Sequence, residues 1–338
     1  MTLRTLYCLG ALSAALCTGC APDEGAESEW QLLHGSLPGA LMSIWGTSST
    51  DVWAVGADAG DGAQVFHFDG AAWSSLDSGH DGDLWWVFGF ESGSVYMGGT
   101  GGTILRYEDG VFTRMTTPGS GVVFGIWGTS DDVLWAVGGA EGGAQGAFAW
   151  RKTGEEWSLA PGFPPELALT DALWKVFGRG PNDVLMVGTG GKTLHYDGTA
   201  LEQSFIGIAE SLFTVHASSS TFAAVGGFGT GILIERAAGA AEWDDVTPAE
   251  APSLIGVCLS ESSGYAVGEF GYVARREASG WRTLETGFEA ELGVRSLHSV
   301  WIDEAGDAWT VGGQIRVPPL TDGVILHSGA QKTSDGLP

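Results

Sequence analysis

The sequence predicts an all-β fold, a single seven-bladed β-propeller whose N-terminal strand completes the last blade. Three observations carry that prediction. A hydrophobic residue followed by glycine recurs seven times along the chain. Each recurrence sits in the same order of short strands. The seventh repeat lacks its last strand, and a matching strand stands at the start of the repeat region.

Composition limits the alternatives. The 338 residues include 55 glycines and 15 tryptophans, against a usual glycine content of about 7%. Many turns combined with many large rings mean many short strands, and the aromatics exclude a disordered chain. Lys and Arg number 15 and Asp and Glu 41, a net charge of −26. That balance excludes a nucleic-acid partner, which needs a cationic footprint. It also disfavours electrostatic docking on anionic lipid.

Residues 1–19 read as an export signal. Arg4 supplies a positive start, and Leu6 to Leu16 is an apolar run too short to span a bilayer as a helix. The run ends Leu16-Cys17-Thr18-Gly19-Cys20. This resembles the bacterial lipoprotein signal, in which small residues precede a lipidated cysteine. The resemblance implies lipidation at Cys20 and an outer-membrane or cell-surface location. The alternative is an ordinary signal peptide and a periplasmic or secreted protein. Residues 20–29 are polar and acidic and read as a tether. Cys8 and Cys17 leave with the signal, so Cys258 is the one cysteine of the body and no internal disulfide can form.

The body spans 30–329. The recurring pairs are Val55-Gly56, Met97-Gly98, Val137-Gly138, Val187-Gly188, Val225-Gly226, Val267-Gly268 and Val311-Gly312, at gaps of 42, 40, 50, 38, 42 and 44 residues. Such a period suits one four-stranded blade per repeat. Each repeat opens with an apolar run, Leu41 to Trp45 in the first, suited to a strand buried on both faces. A turn leads to a second strand, Val52 to Val55, then a third, Val65 to Phe68. Asp69-Gly70, Asp109-Gly110 and Asp197-Gly198 predict hairpins with both central residues at positive φ. The fourth strand opens with an aromatic: Trp73, Phe112, Trp157, Trp243 or Trp281, with Leu201 in the fourth repeat. The seventh repeat stops at Gly329. Trp30-Gln31-Leu32-Leu33 has the spacing of Trp73 to Leu76 and is read as its missing strand, which removes an exposed edge. With Trp30 fully buried, Trp30→Ala would cost about 3–5 kcal/mol. Residues 330–338 read as a disordered tail.

The phrases Ile44-Trp45-Gly46-Thr47-Ser48, Asp51-Val52-Trp53-Ala54-Val55-Gly56 and His67-Phe68-Asp69-Gly70-Ala71-Ala72-Trp73 resemble a repeat of bacterial secreted and lipoprotein propellers. Their Asp-Gly-x-x-Trp portion is similar to a degenerate Asp-box, as in sialidase-like and photosystem-assembly-type propellers. The resemblance implies the fold over 30–329 and leaves function open.

No P-loop, EF-hand, dinucleotide fingerprint or nucleophile elbow occurs. Gly98 to Gly102 recurs between strands and reads as a hairpin. His67, His195 and His327 share one third-strand position, but in different blades, and read as solvated. His216 and Cys258 stand where other inner strands carry Trp or Phe, with His298 two positions out of register. They read as smaller residues filling apolar slots. No cofactor and no metal site is predicted, although the acidic loops around Asp58, Asp61, Asp81 and Asp83 are a possible calcium site. A sialidase needs three inward arginines. Only Arg295 and Lys175 lie on or beside inner strands, while Arg179, Arg236, Arg275, Arg276 and Arg316 fall outside.

Turns between first and second strands, and between third and fourth, vary little in length. The variable loops 57–63, 140–146, 161–170, 285–294 and 313–322 share the opposite face, which suggests a binding face. Trp85, Trp86, Phe124, Trp174 and Phe213 lie near that rim and are the candidate ligand-binding residues. The expected function is a non-catalytic scaffold for an envelope protein or a glycan. The alternative is a divergent glycoside hydrolase or lyase using the axial pocket.

Overall fold

The computed structural model describes residues 29–91, 93–140, 146–167 and 171–338. The export signal, Cys20, all but the last residue of the tether and parts of the loops 140–146 and 161–170 lie outside them. Seven antiparallel four-stranded sheets occupy 41–75, 84–114, 122–159, 173–205, 212–245, 254–284 and 296–328, the last completed from the N-terminus. Within blades 1 to 6 the strands pair in chain order from the inside out. The first strands contact one another in sequence, and that of blade 7 contacts that of blade 1. The sheets thus form a closed ring, the predicted propeller.

The ring is interlocked at the inner strands, and the Trp-Gly pair of the repeat explains how. A Cβ on Gly89 would lie 2.8 Å from the Trp45 ring of the preceding blade. The same holds for Gly178 against Trp127 at 2.5 Å and for Gly46 against Trp301 at 2.9 Å. Each large ring fills the volume that the next blade's glycine leaves. Where the next blade has a larger residue, the ring shrinks to match. His216 faces Leu259, whose backbone N–H donates to His216 Nδ1 at 3.0 Å. Cys258 lies beside Ile302. These substitutions are volume compensation, as close packing demands.

Blade 7 closes as predicted, with a longer strand. Trp30–Gly39 pairs antiparallel with Thr321–Ser328, from Trp30 opposite Ser328 to Gly39 opposite Thr321. Its anchor is not Trp30, which is half-buried with its edge on Tyr265 of blade 6 at 6.1 Å. Leu33 and, most deeply, Leu37 are its buried side chains, packed in the core that blades 7 and 1 share. The cost expected for Trp30→Ala is reduced accordingly.

The tail is also different from its expectation. Residues 330–338 run onto blade 1. The Trp73 N–H donates to the Asp335 carbonyl at 2.7 Å, and Leu337 packs against the core that holds Phe68, Trp73 and Trp309. Lys332 N–H donates to Gln31 Oε1 at 3.0 Å. An apolar slot and a free edge N–H order a segment whose composition alone reads as disordered.

The Asp-Gly hairpins split into two kinds. At Asp109-Gly110 both residues have positive φ, 49° and 82°. At Asp69-Gly70 and Asp197-Gly198 only the glycine does, because Asp Oδ1 instead accepts two backbone N–H groups of the turn, at 2.9 Å in the first and 2.7 and 2.8 Å in the second.

Leu37→Ala is expected to lower unfolding free energy by about 2–5 kcal/mol, and Trp30→Ala by less. Removing residues 330–338 is expected to lower the melting temperature measurably. Equal effects of the two alanine variants in denaturant titrations would contradict this account of closure.

Candidate functional site

The first strands line a narrow axial channel of about 200 Å³, with Trp45, Trp86, Phe88, Phe177, His216 and Trp301 in its wall. A wider bowl of about 680 Å³ shares Thr214 and His298 with the channel wall. Its rim includes Thr189, Phe228, Glu269 and Arg316, from connections between second and third strands, and Ser211 and Ser253, which lead into inner strands. This is the face of the variable loops, and 313–322 reaches the bowl through Ile315 and Arg316.

Four of the five candidate residues, Trp85, Phe124, Trp174 and Phe213, line the bowl together. They form one arc with two residues that the sequence did not single out for the rim. Phe228 meets Phe213 with ring centroids 5.1 Å apart, Phe213 meets Trp174 at 6.2 Å, and Trp174 meets Phe124 at 4.9 Å. Phe124 meets Trp85 at 5.4 Å, and Trp85 meets His298 at 6.1 Å. Tilted and edge contacts of this kind are the favoured aromatic geometries. Phe228 is 74% exposed at the end of the arc. The indole N–H groups of Trp85 and Trp174 are buried without an acceptor.

Trp86 is the exception. Strand alternation turns it from the bowl to the channel, where its indole N–H donates to the Ile126 carbonyl at 2.8 Å. The Lys175 ammonium lies 4.3 Å from that ring's centre and donates to the Phe124 carbonyl at 2.7 Å. Lys175 is buried, and desolvation pushes its pKa down to about 7.

Bowl chemistry is sparse. Glu269 is the one carboxylate among the described lining residues, and it pairs with Arg316 at 3.4 Å. Arg316, set aside at the sequence level as a loop residue, is the arginine that reaches the bowl. Arg295 instead binds the carbonyls of Gly35, Glu291 and Leu292. Among the described residues, three arginines do not converge on the bowl.

His216 Nε2 lies 3.7 Å from Cys258 Sγ. Burial holds both neutral, pushing the imidazole down to about 3 and the thiol up to about 12. His298 donates from Nδ1 to the Met42 carbonyl at 2.5 Å, and burial pushes it down to about 3. It does not join the Cys258–His216 pair.

Of the third-strand histidines, His67 and His195 are part-exposed, at 26% and 34% of the side chain, and each is clasped within its own blade. His67 Nε2 is 2.7 Å from Asp51, and His195 Nε2 is 2.8 Å from Asp183. His327 is fully buried, and desolvation pushes it down to about 4. Two of the four acids suggested for calcium serve as loop ties. Asp58 accepts N–H groups of Gly60, Gly62 and Gly82, and Asp83 Oδ1 accepts the Asp58 N–H. Among the described residues, the one grouping of three or more metal-ligating side chains is Asp303, Asp307 and His327.

Lys175, His216 and His298 all have pKa values lowered by folding, so the unfolded chain binds more protons. Stability is therefore expected to rise with pH, from about 3 to 6.5 through the histidines and from about 7 to 10.5 through Lys175. Lys175→Met should flatten the upper segment of a melting-temperature profile. A wild-type profile that falls between pH 7 and 8.5 would contradict the buried state of Lys175.

No family model matches the sequence, and no curated protein matches it. Solved structures are similar in fold. The WD40 β-propeller domain of Doa1 superposes with a TM-score of 0.65 at 12% identity, covering 90% of this chain and 99% of that one. YCF48 bound to a D1 peptide gives 0.63 at 12% identity, covering 91% and 98%. The extracellular domain of a hybrid two-component system from B. thetaiotaomicron gives 0.67 at 13% identity, covering 90% of this chain and 42% of that chain. The likeness in all three is that of the propeller fold.

Proposed function

We propose that the protein is a non-catalytic scaffold that binds a protein segment in the aromatic bowl. We also propose that it is exported and held by lipid on Cys20 at the outer membrane or cell surface of a bacterium. The observation that carries the binding reading is the continuous arc from Phe228 to His298 along the bowl wall. Aromatic side chains of this kind supply most of the energy at protein interfaces.

A strained residue on the same face supports the reading. The turns Thr100–Gly102, Thr189–Gly191 and Glu269–Gly271 are equivalent. Their middle residues have φ of 66°, 62° and 60°, but the third is Phe270, not glycine. A bulky residue there costs about 1–2 kcal/mol. Phe270 is nonetheless 48% exposed, so packing within the chain does not account for it. A partner that covers the ring would.

Among the solved structures of similar fold, one holds a peptide, which supports a protein partner. The hydrolase alternative has less support, since glycoside hydrolysis uses two carboxylates and the bowl lining presents Glu269 alone, already ion-paired. The net charge of −26 favours a partner with a basic surface.

The tagged protein, crosslinked in its own envelope and read by mass spectrometry, is expected to capture a specific partner. Trp174→Ala with Phe213→Ala should lose it. Phe270→Gly should weaken capture while raising the melting temperature. Capture unchanged in both variants, or binding to a glycan array with no protein captured, would overturn the protein-segment reading. Palmitate labelling of wild type but not Cys20→Ala is expected, and equal labelling would overturn the anchor.

A further inference from the structure

The clasp of blade 1 is chemically complete. Thr47 Oγ1 donates to Asp51 Oδ2 at 2.5 Å, while Trp53 Nε1 and His67 Nε2 lie 3.1 and 2.7 Å from Asp51 Oδ1. One carboxylate is thereby surrounded by hydrogen-bonding partners. Cross-strand pairing of Trp45 with Trp53 and of Trp301 with Trp309 puts blades 1 and 7 in register. His67 and His327 pair with the second tryptophan of each. The blade 7 equivalents of Thr47, Asp51, Trp53 and His67 are therefore Asp303, Asp307, Trp309 and His327. A hydroxyl donor has been exchanged for a second carboxylate.

The local bonding changes with that exchange. Trp309 Nε1 now donates to Asp303 Oδ2 at 3.2 Å, and the backbone N–H groups of Ala305 and Asp307 donate to Asp303 Oδ1 at 3.0 Å. The histidine stands back, with Nε2 4.0 Å from Asp303 Oδ2, against 2.7 and 2.8 Å for its counterparts. His327 is fully buried, and neither ring nitrogen has a hydrogen-bond partner. One ligand atom from each of Asp303, Asp307 and His327 lies within 4.8 Å of the others. Two cations lie nearby: Lys332 is turned to the Ser49 carbonyl and the face of Trp309, and Arg275 to the face of Tyr265.

Two carboxylates and an unpartnered imidazole thus converge at one largely buried point. Buried charges require a counter-charge, and a metal ion is one of the ways proteins supply it. We propose that Asp303, Asp307 and His327 bind a divalent transition-metal ion of the zinc class. One nitrogen and two oxygens form a donor set that suits Zn²⁺, whereas Ca²⁺ and Mg²⁺ prefer oxygen alone. Shifts of under about 1 Å bring atoms this close to ordinary zinc–ligand distances. The Trp309 N–H on Asp303 is an outer-shell bond of the kind that orients a ligating carboxylate.

The ion would join the turn between the first two strands of blade 7 to the third strand. His327 on that strand lies opposite Gln31 of the N-terminal strand. The crosslink therefore acts where the ring closes, in a body whose one cysteine cannot form a disulfide.

The test uses the full chain with Cys8→Ser, Cys17→Ser and Cys20→Ser, so that no thiol of residues 1–20 competes. The protein is stripped with a chelator and titrated with Zn²⁺, Co²⁺ and Mg²⁺. One Zn²⁺ per chain is expected to survive desalting, with a rise in melting temperature that Mg²⁺ does not reproduce. Co²⁺ should give visible d–d bands. Asp307→Asn removes a like charge, so it should fold without metal, yet weaken Zn²⁺ binding at least about tenfold. Wild type that neither retains Zn²⁺ nor shifts on melting would overturn the site. So would Zn²⁺ binding unchanged in Asp307→Asn, which would place the ion elsewhere. A metal-indifferent wild type that Asp307→Asn stabilises would mean that the two carboxylates share a proton instead.

Discussion

The structure depends on the pairing of Trp30–Gly39 with Thr321–Ser328. Seven sheets packed face to face have two ends unless the last meets the first, and an open end would expose an apolar face and a strand edge. The N-terminal strand removes both, by pairing across the whole repeat region. The C-terminal tail adds a second tie through the Trp73 edge. Closure also fixes the radius at which inner strands meet. That radius is why Trp45, Trp127 and Trp301 each need a glycine opposite, and why His216 and Cys258 stand opposite bulkier neighbours.

Closure gives the two faces different shapes. Short turns between first and second strands crowd one side. On the other, second-to-third connections and blade entries spread outward and leave the bowl. The alternation of side chains along each inner strand assigns Trp85 to the bowl and Trp86 to the channel. Burial at the axis then keeps His216, Cys258 and His298 uncharged, so the channel is an apolar core with polar atoms matched locally. The chemistry offered to a partner is shape and aromatic surface, with one ion pair, Glu269–Arg316, at its edge.

Blade 7 shows how one repeat departs from its siblings while keeping the same backbone. The register of its tryptophans and histidine is that of blade 1. Exchanging a threonine position for Asp303 changes the hydrogen bonding of the clasp without changing where it sits. A departure of this kind also occurs on the face of the bowl, where Phe270 occupies a turn position that glycine fills elsewhere. In a repeat protein the informative residues are those that break the repeat at a cost.

The sequence by itself determined the blade count, the strand order and the closure by the N-terminal strand, because periodicity and a missing strand are properties of the chain alone. It also placed Trp85, Phe124, Trp174 and Phe213 at one rim, since strand starts define a face. Tertiary structure alone decided the rest. Leu37 rather than Trp30 anchors the closure, and residues 330–338 are ordered, because burial depends on which blade lies alongside. Phe228 and Arg316 join the bowl from different blades, and Asp303, Asp307 and His327 converge from a turn and a strand separated by some twenty residues. Linear spacing reports which residues repeat. Which side chains meet is set by the curvature of the closed ring and the direction each Cβ points within it.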